Sequence, residues 1–188
     1  MKKIILAAAV ALMSFAANAQ DLKFATVDFN ELVMLMPEMD EARATIEENA
    51  KTNEEILMAM YEEYQTKVQQ YEQKSSTWTA AIVEAKQREI MEIEQRIQQT
   101  QQSLQQEIQQ LQQNLQAPIM QKATQVVNDL AKAKGIAAVF EVSSFLYVDP
   151  AQLVDLTPEA RVALNIPEGR TLETLQAEMM AKAQAAQR

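Results

Sequence analysis

The chain has 188 residues with 17 basic and 26 acidic side chains, a net charge of −9, and no His or Cys. Because this charge repels phosphate backbones and anionic membrane surfaces, nucleic acid is not expected as a partner. The lack of His and Cys removes the usual general base, the thiol nucleophile and the soft metal ligands. An enzyme is therefore not expected, and we predict no catalytic residue, cofactor or metal site.

Residues 1–19 have the organisation of a secretory signal peptide, with a cationic start, an apolar run from Ile4 to Phe15 and an A-x-A end. This pattern predicts cleavage between Ala19 and Gln20, so that the mature chain works outside the cytoplasm. The alternative, a retained membrane anchor, needs a longer apolar run, and since no later run is long enough either, stable membrane insertion is not expected. Loss of the two lysines near the start leaves 15 basic residues against 26 acidic ones, a net charge of −11.

The first predicted elements of the mature chain are a strand and a short helix. Residues 22–29 favour a strand in which Phe24 alternates with Val27. Asn30 is typical of an N-cap, and the apolar residues after it predict a helix that continues to Met36.

Residues 38–117 contain no Gly or Pro and consist mostly of residues that favour helix. Pro37 suits the first position of a helix, because its missing N–H is not needed there, and Pro118 bounds the other end of the stretch. At the midpoint, residues 74–79 gather hydroxyl side chains that compete with helical hydrogen bonds. We therefore predict a long antiparallel helical hairpin with its tip at these residues and with arms of about 60 Å, which must project from the remainder of the chain.

Apolar residues recur at heptad spacing in both arms. The first arm offers Ile46, Ala50, Asn53, Leu57, Met60, Tyr64 and Tyr71, and the return arm offers Ile90, Ile97, Leu104, Ile108, Leu111 and Leu115. Glu94 and Gln101 interrupt the companion positions of the return arm, which predicts loose pairing and a flexible hairpin rather than a rigid rod. Glutamine pairs between residues 98 and 113 are interpreted as a neutral solvated face, with a prion-like tract as the alternative.

The second long helix is predicted to end at Gly135, which can adopt the left-handed cap. Two strands are predicted to follow, residues 136–142 and 145–148, joined as a β-hairpin by two serines. Short helices are predicted to begin at Thr157 and at Thr171.

These elements predict an α+β fold, mostly α, in which three short strands form a small β body beside the long hairpin. A sheet of that size is too small to be stable by itself, so several copies are expected to pool their strands in one shared body. The residues assigned to this oligomer interface are Phe24, Val27, Phe29, Val139, Phe140, Val142, Phe145, Leu146, Tyr147 and Val148. The predicted segments are the signal peptide (1–19), the β-containing body (20–36 and 118–166), the hairpin arm (37–117) and a C-terminal helical extension (167–188).

After the signal peptide the chain opens with KFATVDFNELVMLMPE, and after the arms it continues with LQAPIMQKATQVVNDLAKAKGIAAVFEVSSFLYVDPAQLVDLT and then VALN. In this order these segments resemble the Skp/OmpH family of periplasmic chaperones, over about residues 22–166. The resemblance implies a homotrimer in the periplasm, in which strands from three chains complete a β-barrel-like body and three hairpins act as tentacles. The cavity between the tentacles would hold unfolded outer-membrane β-barrel proteins without ATP. The chain departs from the family's best-known members, which are basic, and residues 167–188 extend past the point where many relatives end.

Under this resemblance, flexible arms would contact an unfolded client weakly at many points, and linked weak contacts gain strength through effective concentration. Methionine suits such contacts because it repacks against many shapes, although ordinary helix packing is the alternative role of each residue. The residues predicted to bind clients are Met58, Met60, Tyr64, Tyr71, Trp78 and Met91. Trp78, at the predicted tip, either contacts clients or covers the tip against Tyr71 and Ile82.

The same heptads would also serve a structural coiled-coil spacer or adaptor of the cell envelope, which is the alternative function. Paired carboxylates such as Glu54 and Glu55 raise the further alternative of a cation site. Adjacent residues on a helix point about 100° apart, so these pairs are interpreted as a solvated face. That face is acidic, because residues 38–79 carry ten acidic and four basic side chains.

Overall fold

The computed structural model of the protein describes residues 22–149 and 151–186. The predicted signal peptide and its cleavage site at Ala19 and Gln20 lie outside these residues. The described residues fall into two compact units. The first comprises residues 22–34, 122–149 and 151–186, and the second comprises residues 35–121.

The first unit contains a three-stranded parallel sheet. Its strands are β1 (Lys23–Val27), β2 (Ile136–Glu141) and β3 (Val154–Asp155), in the order β2-β1-β3. Ala25 of β1 lies opposite Val139 of β2 on one side and opposite Val154 of β3 on the other. Both neighbours run parallel to β1, since each connection returns the chain to the end of the sheet at which β1 starts.

β1 is buried more completely than a strand that alternates between core and solvent. Ala25, Thr26 and Val27 are all buried, so successive side chains are covered on both faces of the sheet. Such a pattern is typical of the central strand of a parallel sheet. The backbone carbonyl of Thr26 accepts a 2.9 Å hydrogen bond from the N–H of Leu156, which ties β1 to the chain just after β3.

The predicted β-hairpin within residues 136–148 is wrong. β2 ends at Glu141, and a 3-10 turn at Val142–Ser144 follows it. Residues 145–148 form no strand after this turn, although one edge of β2 is left without a partner within the described residues. The third strand is the two-residue β3 instead.

The short helix α1 (Phe29–Leu35) begins before the predicted cap, so the assignment of Asn30 as N-cap is wrong. Asp28 caps the helix, and its Oδ1 accepts a 2.8 Å hydrogen bond from the N–H of Glu31. The carboxylate of Glu141 accepts a second, 2.9 Å hydrogen bond from the N–H of Phe29. Both carboxylates satisfy donors that the first turn leaves without helical partners, and they lie at the positive end of the helix dipole.

Two further helices, α4 (Thr157–Ala163) and α5 (Leu172–Ala186), begin where the sequence predicts. α5 has a reciprocal cap, in which Thr171 Oγ1 accepts from the N–H of Thr174 and Thr174 Oγ1 accepts from the N–H of Thr171, at 3.2 and 2.9 Å. These helices contribute to the buried core of the first unit. Its apolar members are Ala25, Val27, Leu32, Ala123, Val127, Ala131, Leu156, Ala160, Leu164, Ile166 and Leu175.

The second unit is a hairpin of two long helices, α2 (Pro37–Lys74) and the part of α3 (Ala80–Ala133) up to residue 121. Pro37 is the first residue of α2, as predicted, and the hydroxyl-rich stretch forms a 3-10 turn at Ser75–Thr77 between the helices. Gly135, just after α3, has a φ of 65° and takes the predicted left-handed cap conformation.

α3 passes through Pro118 without interruption, so the boundary expected at this residue is not a helix end. A proline inside a helix removes one N–H donor, which here leaves the carbonyl of Asn114 without its usual partner. Pro118 is exposed. Water can therefore hydrate the helix on that side, and the helix continues.

The two arms run antiparallel, because contacts between them join rising residue numbers on α2 to falling numbers on α3. Gln101 Nε2 donates to the Tyr61 hydroxyl at 2.7 Å, Arg96 pairs with Glu63 at 2.6 Å, Lys67 pairs with Glu89, and Gln87 Nε2 donates to the Tyr71 hydroxyl at 2.6 Å. The predicted hairpin is confirmed.

The apolar residues predicted for the seam of α3 are buried or half-buried, but the structure differs from the prediction at two companion positions. Ile93 and Ile97 are its most deeply buried residues, at 4 % and 5 % exposure. The sequence assigned the companion positions of the seam to Glu94 and Gln101, but both of these residues are exposed. Ile93 and the half-buried Thr100 face the seam in their place. The predicted interruption of the seam at those two residues is therefore wrong, since the helix turns a neighbouring side chain inward at each point.

Candidate functional site

Large apolar side chains remain exposed along both arms. The largest exposures are those of Met58 on α2 and Met91 on α3, at 60 % and 59 %. Ile56, Tyr61 and Ile82 are exposed as well. Scattered single apolar residues are normal on protein surfaces. A binding site is indicated only where such residues border a cavity.

Such a cavity, of about 690 Å³, lies between residues 50–61 of α2 and residues 101–112 of α3, and we call it the arm groove. The half-buried seam residues Leu57, Leu104 and Ile108 line it. Its volume falls within the range of about 300 to 1,000 Å³ that is usual for ligand-binding pockets.

The arm groove has a simple origin in the sequence. Ala50 and Asn53 stand at seam positions of α2 and both line the groove. Because they are small or polar, they leave the space that a large apolar seam residue would fill. Met58 and Tyr61 extend the apolar lining toward the tip.

Beyond the arm groove the seam is closed by aromatic and aliphatic residues. A smaller cavity of about 280 Å³ is lined by Tyr61, Tyr64 and Ile97. Nearer the tip, the rings of Tyr71 and Trp78 lie 6.0 Å apart in an edge-to-face arrangement. Trp78 is half-buried there, so part of its indole covers the tip against Tyr71 and part remains accessible.

A charged cluster joins the arms between the tip and the arm groove. The carboxylate of Glu89 pairs with Lys67 of the opposite arm and, at 2.7 Å, with Lys86 of its own helix. The hydrogen bond from Lys67, followed by that from Lys86, lowers the pKa of Glu89 from 4.5 to about 2, since both favour the charged carboxylate. The cluster links the two helices at this point.

The first unit exposes a second apolar surface, which we call the sheet-edge cluster. It consists of Phe24, Phe140, Phe145, Leu146 and Tyr147. The ring centroids of Phe24 and Phe140 are 6.0 Å apart, and those of Phe140 and Phe145 are 5.5 Å apart. All five side chains are exposed. The cluster is therefore a larger exposed apolar surface, beside the outer strand β2, than single scattered residues form.

The residues assigned from sequence to the oligomer interface separate into two groups. Phe24, Phe140, Val142, Phe145, Leu146 and Tyr147 are exposed, whereas Phe29, Val139 and Val148 are half-buried and Val27 belongs to the core of its own chain. The structure thus brings three of the exposed aromatic rings into contact with one another.

The residues assigned to client binding do not form one site. Met58 lines the arm groove, Tyr64 lines the smaller cavity, and Tyr71 packs on Trp78. Met60 is half-buried, and Met91 is exposed outside the arm groove. Sequence reasoning missed Tyr61, which lines both cavities. The signal for it was its position three residues after Met58 and four after Leu57, where a helix places neighbours on one face.

α5 borders one more cavity, of about 450 Å³, together with Met34 of α1. Leu172, Met179 and Met180 line it, and all three are exposed. The neighbouring Leu175 is buried and anchors the helix.

Residues 22–149 and 151–186 contain no group of three or more acidic side chains placed to hold a metal ion. None of the helices they form is long and apolar enough to cross a bilayer.

Comparison with known proteins places this architecture in a family. The sequence profile of the family described as "Outer membrane protein (OmpH-like)" matches residues 23–164. The chaperone protein Skp of Yersinia enterocolitica is 24 % identical over 160 residues, which cover 85 % of this chain and 96 % of that protein. A crystal structure from Caulobacter crescentus, described as an OmpH-like outer membrane chaperone, superposes with a TM-score of 0.69 at 13 % identity, over 77 % of this chain and 84 % of that one. The chain therefore belongs to the OmpH-like family of outer membrane proteins, a family of Skp-type chaperones and not of enzymes.

Proposed function

We propose that the protein is an ATP-independent holdase of the periplasm, which binds unfolded outer-membrane β-barrel proteins between the helical arms of several copies and prevents their aggregation. The observation that carries the proposal is the family match across residues 23–164, which spans both units. The name of the Yersinia relative, a chaperone, supports it. The predicted signal peptide supports the periplasmic location.

The chemistry of the arms supports a holding role. A barrel strand before closure presents alternating apolar residues and unpaired backbone groups, and both promote aggregation in water. Exposed residues such as Met58 and Met91 offer soft apolar contacts at separate points along the arms. Several weak contacts on linked arms sum to strong binding that can still be released.

We further propose that three copies assemble through the sheet-edge cluster and the neighbouring edge of β2. Within the described residues, β1 occupies one edge of β2 and no strand occupies the other. A free edge beside exposed aromatic rings is a surface that strand pairing and apolar burial would both cover.

The holdase proposal is tested by diluting a urea-denatured outer-membrane β-barrel protein into buffer that contains the chain from residue 20 onward. We expect an equimolar amount to suppress the rise in light scattering, and ATP to make no difference. If scattering rises as it does in buffer alone, the proposal is wrong. Recovery of one folded partner in pull-downs, rather than many barrel proteins, would favour a structural spacer.

The fluorescence of Trp78, the only Trp in the chain, tests whether the tip of the hairpin contacts clients. If Trp78 contacts clients, its emission maximum will shift when a Trp-free denatured barrel protein is bound. An unchanged spectrum, under conditions where light scattering shows binding, would assign Trp78 to tip packing against Tyr71.

A further inference from the structure

The arm groove has the dimensions, lining and charge of a site for one particular kind of peptide segment. We propose that it binds a short extended segment of an unfolded chain in which apolar residues alternate, with Lys or Arg at its ends. This inference rests on the proposed holdase function, and it names the class of segment that a single arm selects.

The length of the groove sets the length of the segment. Residues 50–61 of α2 and 101–112 of α3 each extend over about 17 Å at 1.5 Å per residue. An extended chain advances about 3.3 Å per residue, so about five residues fit. In such a segment the first, third and fifth side chains point the same way, toward the apolar lining that Leu57, Leu104 and Ile108 provide.

The glutamines of α3 supply hydrogen-bond partners for the backbone of the segment. Gln105, Gln109 and Gln112 line one side of the groove. Gln105 and Gln109 are four residues apart, a rise of about 6 Å along the helix. Backbone groups on one edge of an extended chain repeat every two residues, at about 6.6 Å. Each side-chain amide offers both a donor and an acceptor, so Gln105 and Gln109 match the spacing of two successive backbone groups on that edge.

The charge around the groove specifies the ends of the segment. Between residues 47 and 63, α2 carries one lysine and six glutamates, of which Glu63 pairs with Arg96. Between residues 98 and 115, α3 carries one glutamate and no basic residue. Glu54 lines the groove, and Glu55 follows it. Neither forms an ion pair with any residue that the structure describes. Cationic ends therefore gain attraction from this rim, and anionic ends are repelled.

The experiment uses the chain from residue 20 onward and two fluorescein-labelled peptides, Lys-Val-Thr-Val-Thr-Val-Lys and its counterpart with Glu at both ends. Fluorescence anisotropy measures the binding of each. We expect the Lys-ended peptide to bind at least about tenfold more tightly, and its affinity to fall as salt rises from 50 to 500 mM, because exposed charges are screened.

Two matched pairs of variants locate the binding. Glu54→Gln with Glu55→Gln should weaken the Lys-ended peptide about three- to tenfold, because it removes two of the negative charges that attract the cationic ends. Glu72→Gln with Glu92→Gln removes the same charge outside the groove and should change the affinity less than twofold. Met58→Gln should weaken binding at least about threefold, whereas Ile56→Gln, on the same helix but outside the groove lining, should not. Circular dichroism checks that each variant is folded.

The inference fails if the two peptides bind equally, if neither binds, or if the paired variants lose affinity to the same extent. The light-scattering assay, run on the same proteins, separates this failure from that of the holdase proposal. If the protein suppresses aggregation but binds both peptides equally, the holdase proposal stands and the proposed charge selectivity of the arm groove is wrong. A protein that fails in both assays is not a holdase.

Discussion

At the scale of single residues, Glu89 shows how an exposed arm can hold a fixed register. Its carboxylate is shared by two ammonium groups, one from each helix, and it retains about a third of its exposure. Surface ion pairs contribute little singly, but a shared carboxylate orders two long side chains at once. The pKa of Glu89 is lowered to about 2 because the two ammonium groups stabilise its charged form.

Replacement of this residue by Gln should make stability depend on pH in a predictable direction. Because the folded-state pKa lies below the usual 4.5, the ionised form stabilises the folded chain above about pH 4.5, and this contribution is lost as the pH falls toward 2. We expect Glu89→Gln to be less stable than the parent by about 0.5–1 kcal/mol at pH 7 and equal to it near pH 2. Urea unfolding at a series of pH values measures the difference. A gap between parent and variant that stays constant down to pH 2 would contradict the assignment, and Glu92→Gln serves as the control on the same helix.

At the scale of secondary structure, elements with local signals could be predicted from the sequence and elements defined by pairing could not. Pro37, the hydroxyl-rich tip and Gly135 act through their own backbone preferences, so the start of α2, the turn between the helices and the end of α3 were predictable. β3 has two residues and no periodicity, and it is a strand only because the edge of β1 is free to pair with it. Residues 145–148 have the higher strand propensity but pair with no strand within the described residues, so propensity alone misplaced the third strand.

The arm groove illustrates the same limit for the candidate site. The small seam residues Ala50 and Asn53 are visible in the heptad pattern, and Met58 could be chosen from its chemistry. Whether the opposite helix closes the gap depends on the register of α3, in which Ile93 rather than Glu94 turns inward. Register between two helices is a tertiary property, so the cavity could not be predicted from either arm alone.

The cap of α1 gives a direct test of the corrected helix start. Asp28→Ala removes the acceptor for the N–H of Glu31 and should cost about 1 kcal/mol of stability. Asn30→Ala, within the first turn, should change stability by no more than about 0.5 kcal/mol. The midpoints of urea unfolding for the two variants show which residue caps α1. A larger loss of stability for Asn30→Ala would support Asn30 as the N-cap, as predicted from the sequence.

The seam gives a second test at this scale. Ile93→Ala should destabilise the hairpin by about 2–4 kcal/mol, because it leaves a cavity at a position that is 4 % exposed. Ile82→Ala removes the same atoms from an exposed position and should cost about 1 kcal/mol or less. Thermal unfolding followed by circular dichroism compares them. Equal losses would mean that burial at the seam does not stabilise the arms.

At the scale of the whole molecule, the proposed assembly explains why so much apolar surface lies beside the outer edge of β2. The sheet has only three strands, of which β2 and β3 are the edges, and the rings of Phe24, Phe140 and Phe145 are exposed beside it. A sheet of this size has marginal stability in water unless further strands or chains cover it. Pooling of strands between copies would bury the sheet-edge cluster and occupy the free edge together.

Leu146 tests this assembly without disturbing the chain's own core. It is fully exposed, so Leu146→Asp removes no contact within one copy, but it would place a charge in the proposed interface, where burial without a partner is costly. We expect sedimentation velocity to show a trimer for the parent and a smaller species for the variant, with unchanged helical content by circular dichroism. Val162→Asp, at another exposed apolar position of the first unit, is the control and should leave the trimer intact. Because a client held between several arms depends on the assembly, Leu146→Asp should also need a severalfold higher concentration to suppress aggregation of a denatured barrel protein. A variant that sediments like the parent would place the interface elsewhere on the chain.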